Sequence, residues 1–489
     1  MIFNSVTFIA FLLMVVVLYW LLPGRQRLWM VLAASCTFYG FWRWEFLSIM
    51  FVSALTDYFT ARAIYATPVE NVRRRRALLA ITLIVNLGLL AYFKYLYFFA
   101  ANANSVLHFF GITASLPLVR VILPLGISFY TFETISYTVD VYRGLIPAER
   151  NFLNYGLFVT FFPKLVAGPI QRAAELLHQL KNRPQFKLEY INDGVRRILY
   201  GLFLKVVLAD TISPLVDEGF AMPFQRLSAF DVWTLAFLFG LQIYFDFSAY
   251  SHIALGSAKL MGITVPENFN FPYVATSFKD FWKRWHISLS SWIRDYLYLP
   301  LSGVQVVKST GAGGIGESLN RPDSDRHRTR SLFATWAVMG LWHGANWTYV
   351  IWGIYHAGLI YVERLLTPYR LRFKWLSYDW IGWLVTVPFA MLGWILFRAT
   401  DLHQAFGMLR TVFNPAQYRH LNFRENTYLT TAVLFLLILV TWFVRKQWPR
   451  WQQTAPWVWF PANVARYALL AALTFVFLRP IRQYIYFQF

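Results

Sequence analysis

Two histidines stand in surroundings that are otherwise built for lipid. His286 lies in FWKRWHISLSSWIRDYLYLPL (Phe281–Leu301), and His343 in GLWHGANWTYVIWGIYH (Gly340–His356). Imidazole is the side chain that takes or gives a proton near neutral pH. An ionisable group at membrane depth is costly to bury and must face a cavity or a partner, which makes His343 a site candidate. A hydrogen-bonded structural histidine is the competing reading, and position alone leaves both open.

The elements that hold these rings must work in lipid. Of 489 residues, 57% are hydrophobic and only 14% charged, against about 25% charged in a soluble domain. This excludes a water-facing globule and implies an all-α polytopic membrane protein, because helices satisfy their own backbone in hydrocarbon. The single Cys36 rules out an intramolecular disulfide and argues against a thiolate metal site; no metal is expected. The excess of 45 Lys+Arg over 24 Asp+Glu fits positive-inside bias and anionic lipid rather than nucleic acid, for which no motif is present.

Along the chain, Ser5–Leu22 is the first run long enough to span, with no basic residue before it. Arg25 and Arg27 follow it and place the N-terminus outside. Leu28–Trp42 and Leu47–Ile64 return Arg73–Arg76 to the same side as Arg25. Ala77–Ala101 crosses outward, Asn102–Leu118 is an external loop, and Val119–Val141 is a span so polar that it must face protein or water. Phe152–Ala167 suits a re-entrant piece, and Gln171–Arg197 a basic cytoplasmic amphipathic segment. Ile198–Val216 and Phe230–Leu255 span again. The second carries Gln242, Asp246 and Tyr250 on one helical face, where Asp246 is either an interhelical anchor or a lining residue.

Phe271–Pro300 holds too many charges for a crossing. Its stripe Trp285, Leu289, Trp292, Tyr296 and Leu299, with Lys283, Ser290 and Arg294 off it, describes interfacial helices. Ser302–Arg330 reads as a Gly-, Ser- and Arg-rich cytoplasmic loop, and Ser331–Leu365 restores the membrane pattern. Trp380–Phe397, Tyr428–Val444 and Ala465–Phe477 complete about ten or eleven crossings at roughly 20 residues each. No separate soluble domain is expected: 1–489 is one membrane domain, with N-terminal helices 1–118, a core 119–366 and C-terminal helices 367–489.

Five stretches carry a family resemblance: LPLGISFYTFETISYTVDVYRG (Leu123–Gly144), FFPKLVAGPIQR (Phe161–Arg172), FDFSAYSHIALG (Phe245–Gly256) and the two histidine blocks. Together they resemble the membrane-bound O-acyltransferases, and among these the bacterial branch typified by the alginate O-acetyltransferase membrane subunit. The resemblance implies a ring of helices around a central tunnel, with re-entrant and interfacial helices. It makes His343 of the WHG motif the catalytic residue and His286 of RWH the second signature position.

The chemistry so implied is transfer of an acetyl group from a thioester, acetyl-CoA or an acyl carrier protein, to a hydroxyl, with no bound cofactor. A neutral imidazole takes the hydroxyl proton, help that typically contributes about 100- to 10,000-fold. Trp342, Trp347 and Trp352 would keep the ring dry and neutral; a covalent acyl-histidine ranks below base catalysis. Asn346 and Trp347 carry donors suited to an acyl oxygen, and Lys283, Arg284 and Arg294 either meet donor phosphates or snorkel to lipid head groups. The family further implies the bacterial inner membrane and a periplasmic partner that passes acetyl to an exported polysaccharide. Peptidoglycan, cellulose and D-alanylated teichoic acid are alternative acceptors. A transporter with an Asp246–His343 proton relay and a purely structural scaffold are the readings from other classes.

Overall fold

The computed structural model describes all residues except 183, 305, 309–314, 318–324, 374–376, 455, 479, 481–483 and 485–489. Apart from one short strand pair, the regular elements among the described residues are helices, and the chain divides into two compact units. Unit one comprises Met1–Val195, Ala254–Pro266 and Ser291–His327; unit two comprises Arg196–Ile253, Glu267–Ser290 and Arg328–Phe489.

In unit one, the helix Phe46–Ala66 packs on Val72–Leu90 and Ile127–Tyr142. The contact is polar at its centre. Asn86 donates to Asp57 at 2.8 Å, Ser53 donates to the same Asn86, and Thr60 meets Thr82 at 2.7 Å. Side-chain bonds of this kind hold membrane helices together where no hydrophobic drive exists between them, at about 0.6 kcal/mol each. The polar residues of the expected span Val119–Val141 are indeed turned inward: Glu133 is buried beside Lys164, and Asp140 accepts from Tyr296 at 2.8 Å. The helix itself is shorter than expected. Residues 112–124 form no regular element, and the helix begins only at Ile127, because Pro117, Pro124 and left-handed Gly126 (φ 74°) interrupt it.

Two other boundaries move. The helix started by Val72 runs to Phe109, so the expected loop at Asn102 is eight residues of further helix. Asn102 and Ser105 bond back to the carbonyls of Phe98 and Ala101, which lets polar side chains ride inside it. Likewise the supposedly separate amphipathic segment ending at Arg197 splits: Ala173–Lys181 is its own helix, while Leu188 begins a continuous helix to Ala221. About half of the expected loop Ser302–Arg330 lies outside the described residues. Within it, Val306–Lys308 pairs antiparallel with Ile315–Glu317, and Asp325 already opens the helix that ends at His343.

Among the described residues, five helices are long and apolar enough to cross a membrane: Val72–Phe109, Leu188–Ala221, Ala229–Leu260, Asp379–Arg398 and Glu425–Gln447. Val6–Leu21 and Pro461–Val476 are apolar but shorter. Phe46–Ala66 matches them in length and fails on apolarity, because Ser53, Asp57 and Thr60 face its neighbours.

Unit two holds the greater part of the helix Ala229–Leu260, as far as Ile253, and the most apolar stretch of that helix is 89% buried. The broken segment around Phe278–Arg284 packs on it through Tyr273 on the Gly240 carbonyl and His286 on Phe247, and Asp379–Arg398 through Trp394 on Phe239; Trp347–Arg372 packs in turn on Phe278–Arg284 and Asp379–Arg398, and Asp325–His343 on Trp347–Arg372. The stripe foreseen in the broken segment holds in part: Trp285, Leu289, Trp292 and Leu299 are buried and Lys283 and Arg294 exposed, while Tyr296 on the stripe and Ser290 off it are both half-buried.

Candidate active site

His343 is the last residue of Asp325–His343, and the three residues Gly344, Ala345 and Asn346 turn the chain into Trp347–Arg372. Asn346 caps the second helix, its Oδ1 accepting from the Thr348 N–H at 3.1 Å. The two helices then cross with their backbones in contact. A Cβ on Gly340 would stand 2.1 Å from the Tyr349 carbonyl oxygen, and one on Gly353 2.0 Å from that of Trp336. Small residues at such crossings are what permit close helix approach in membranes.

This crossing packs aromatic rings around His343, which is only 8% exposed. Trp342 lies 4.9 Å from its ring, Trp352 5.1 Å at a right angle, and Phe397, from Asp379–Arg398, 5.2 Å. Edge-on rings at these separations fix the imidazole's plane. Trp347, expected beside it, begins its helix about half exposed, at 49%.

His286 belongs to the same unit and also touches Trp342, ring centroids 6.5 Å apart. It sits between Phe278–Arg284 and Ile287–Ile293 in a left-handed conformation, φ 42°, unusual for a residue with a Cβ. Two backbone bonds hold that turn: Asn270 N–H donates to Arg284 O and Ile287 N–H to Asn268 O, each at 2.9 Å. The His286 Nδ1 is 3.1 Å from Asn268 Oδ1. Asn268 Oδ1 also accepts from Ser288 N–H at 3.2 Å and Ser288 Oγ at 2.9 Å, and its Nδ2 donates to Ser251 at 3.3 Å. The far nitrogen, Nε2, is buried without a hydrogen-bond partner among the described residues. Phe247 meets the ring edge-on at 4.8 Å.

A third histidine, to which the sequence assigned no role, completes the cluster. His356 lies 4.9 Å from Trp352, on the ring that also touches His343, and 5.1 Å from Trp282. It is 1% exposed, and neither ring nitrogen has a partner among the described residues. Orphaned buried nitrogens of this kind call for water or ligand.

The remaining sequence candidates separate. Asp246 lies 2.6 Å from Lys205, whose ammonium also meets Asp210 at 2.9 Å and the Tyr484 ring at 4.4 Å. That geometry is an interhelical anchor, and it accounts for Asp246 without substrate. Gln242, one turn earlier, has a buried Oε1 with no partner among the described residues. Both ends of the Asn346 amide are engaged, since its Nδ2 donates to Thr400 O at 3.2 Å. Arg284 pairs with Asp280 at 2.9 Å and Arg294 with Asp295 at 2.7 Å, whereas exposed Lys283 has no ion pair among the described residues. Asn268 and His356 are the site residues the sequence did not announce. An amide in PENFNFPY (Pro266–Tyr273) and the closing histidine of the second block were the only signals.

Comparison with known proteins bears on this arrangement. The model of the membrane-bound O-acyltransferase family matches residues 38–313 and 317–400, a span that contains all three histidines. A probable alginate O-acetylase of Pseudomonas putida is 38% identical over 450 residues, covering 91% of this chain and 87% of that protein. The corresponding Azotobacter vinelandii protein is 37% identical over 443 residues, covering 90% and 84%. A peptidoglycan O-acetyltransferase of Helicobacter pylori is 31% identical over 513 residues, covering 96% and 92%. On that coverage, and with helices long and apolar enough to cross a bilayer, the chain belongs to the membrane-bound O-acyltransferase family and is a multi-pass membrane O-acyltransferase.

Proposed function

We propose that the protein moves an acetyl group from a cytoplasmic thioester across the inner membrane, for O-acetylation of an exported polysaccharide of the alginate type. The observation that carries the reading is the His286–Trp342–His343 cluster: two buried imidazoles flank one indole within one unit, and the His286 Nε2 lacks a protein partner among the described residues. An acceptor hydroxyl entering this cluster attacks the thioester carbonyl. The carbon–oxygen bond forms, the carbon–sulfur bond breaks, and the thiolate leaves. His343 takes the hydroxyl proton as general base and returns it to the departing sulfur, while His286 orients the reacting group. Walls of Trp342, Trp352 and Phe397 exclude water that would hydrolyse the thioester.

The donor is acetyl-CoA or an acyl carrier, with exposed Lys283 the first contact for its phosphates. The N-terminus faces the periplasm, as Arg25 and Arg73–Arg76 require on the positive-inside rule. A periplasmic protein of a polysaccharide modification complex takes the acetyl group there. The Helicobacter pylori relative favours a second reading, in which the acceptor is peptidoglycan. Sealed inner-membrane vesicles given radiolabelled acetyl-CoA on the cytoplasmic face test both. Label is expected as ester on polymer at the periplasmic face, and the identity of the labelled polymer chooses between the readings. Label that never reaches an ester across the membrane contradicts both.

A further inference from the structure

The two acceptor–donor questions at His286 are settled by a backbone amide next to it. The N–H of Ser288 can only donate, so the Asn268 atom it meets at 3.2 Å is the carbonyl oxygen and not the amide nitrogen. The other end of the same side chain agrees, because Nδ2 then faces the Ser251 hydroxyl at 3.3 Å. An amide oxygen accepts only, so the His286 Nδ1 that lies 3.1 Å from it must carry the ring proton. In a neutral imidazole the proton has then been used, and Nε2 is a bare lone pair. That lone pair is buried, in a residue 1% exposed, with no partner among the described residues. The ring's described neighbours are Asn268, Phe247, Phe269 and Trp342, none of which titrates.

We propose that Asn268 is a positioning residue for the acyl transfer: it locks His286 in the Nδ1–H tautomer, so that Nε2 accepts a hydrogen bond from a second donor group of the bound substrate and leaves the proton of the reacting hydroxyl to His343. The inference rests on the placement of the reaction at the two histidines argued above, and deepens it. Three features show that the lock is built. Asn268 Oδ1 receives three donors at once, which pins the amide against rotation. The Asn268 carbonyl also anchors Ile287, so the same residue fixes both the ring and the backbone on its far side. Finally, the left-handed φ of His286 persists only because its surroundings over-determine it, and such conformations cluster where a side chain must be aimed. Without the Asn268 oxygen the ring is free to carry its proton on Nε2, where it would repel the substrate's donor instead of holding it and leave the reacting hydroxyl out of line with His343.

The test uses full-length protein in native membranes supplied with labelled acetyl-CoA, with Asn268→Leu, Asn268→Asp, His286→Ala and the Asn268→Leu/His286→Ala double variant at matched abundance. Asn268→Leu keeps the shape and removes the acceptor. It is expected to lower the transfer rate about 100-fold, the loss that follows when a reacting group is misplaced by about 1 Å, and to add nothing further in the His286→Ala background. Asn268→Asp keeps the acceptor and adds a charge that stabilises the protonated ring. Activity is expected to survive at high pH, with the acid limb of the pH–rate profile displaced upward by about one pH unit or more. A merely structural asparagine predicts otherwise: the Asn268→Leu loss multiplies with that of His286→Ala, and Asn268→Asp leaves the profile in place; either result overturns the proposal. Should Asn268→Leu not accumulate, the Asn268→Asp profile decides alone. An inactive His286→Ala beside a fully active Asn268→Leu sinks the positioning role only, whereas a fully active His286→Ala sinks the placement of the reaction itself.

Discussion

Adding one methyl group at the helix crossing behind His343 should cost more activity than stability. Gly353→Ala places a Cβ 2.0 Å from the Trp336 carbonyl oxygen and 2.9 Å from its carbon. Carbon and oxygen settle at roughly 3 Å or more, so the two helices must part by about 1 Å. Overpacking of this kind costs about 1–3 kcal/mol, which a folded membrane protein can survive. The displacement, however, falls on the reacting ring. Gly353 adjoins Trp352, which touches His343 at 5.1 Å, and Gly340, opposite, lies three residues before His343. A misplacement of about 1 Å at a reacting group costs on the order of 100-fold in rate. Gly340→Ala meets the Tyr349 oxygen at 2.1 Å and should behave alike. The control is Gly358 on the same helix, where a Cβ meets nothing within 4 Å; there alanine should be neutral or stabilise by up to about 1 kcal/mol. The assay is acetyl transfer per molecule in membranes, beside thermal unfolding in detergent. Wild-type turnover by Gly353→Ala at normal abundance refutes the reasoning, because the rings would then not depend on the crossing.

Other consequences follow from single contacts. Lys205→Met strands Asp246 and Asp210 in the interior and should destabilise by about 3–5 kcal/mol, seen as lost membrane accumulation, with partial recovery when Asp246→Leu is added. Asn346→Ala removes the cap of Trp347–Arg372 and should cost about 1 kcal/mol in thermal unfolding. Lys283→Ala should raise the KM for acetyl-CoA several-fold at low salt while leaving kcat alone, and the difference should shrink as ionic strength rises.

Hydropathy read well where one residue run makes one element. Trp380–Phe397 became Asp379–Arg398, and Phe230–Leu255 became Ala229–Leu260, because both are apolar runs ended by charge or glycine. It failed where a helix tolerates polarity or an apolar run does not form one. The stretch 102–109 looked like loop yet stays helical through back-bonds to its own carbonyls. Val119–Leu125 looked like span yet is kept from forming a helix by Pro117, Pro124 and Gly126. The site divides the same way. His343, Trp342 and Trp352 were legible because they share one helical hairpin. The Asn268–His286 contact was not, since it depends on left-handed turns at Phe271 and His286 that no propensity announces. Lys205 was equally hidden as the partner of Asp246: it lies 41 residues away, in a π-helical stretch, Leu204–Ala209, that hydropathy cannot see.

The most direct measurement is ester formation from labelled acetyl-CoA by His343→Ala, at membrane abundance matched to the wild type. Loss of one general base predicts a fall of about 100- to 10,000-fold, with the protein still folded and inserted. Turnover at the wild-type rate would contradict the assignment of His343 as the group that takes the hydroxyl proton.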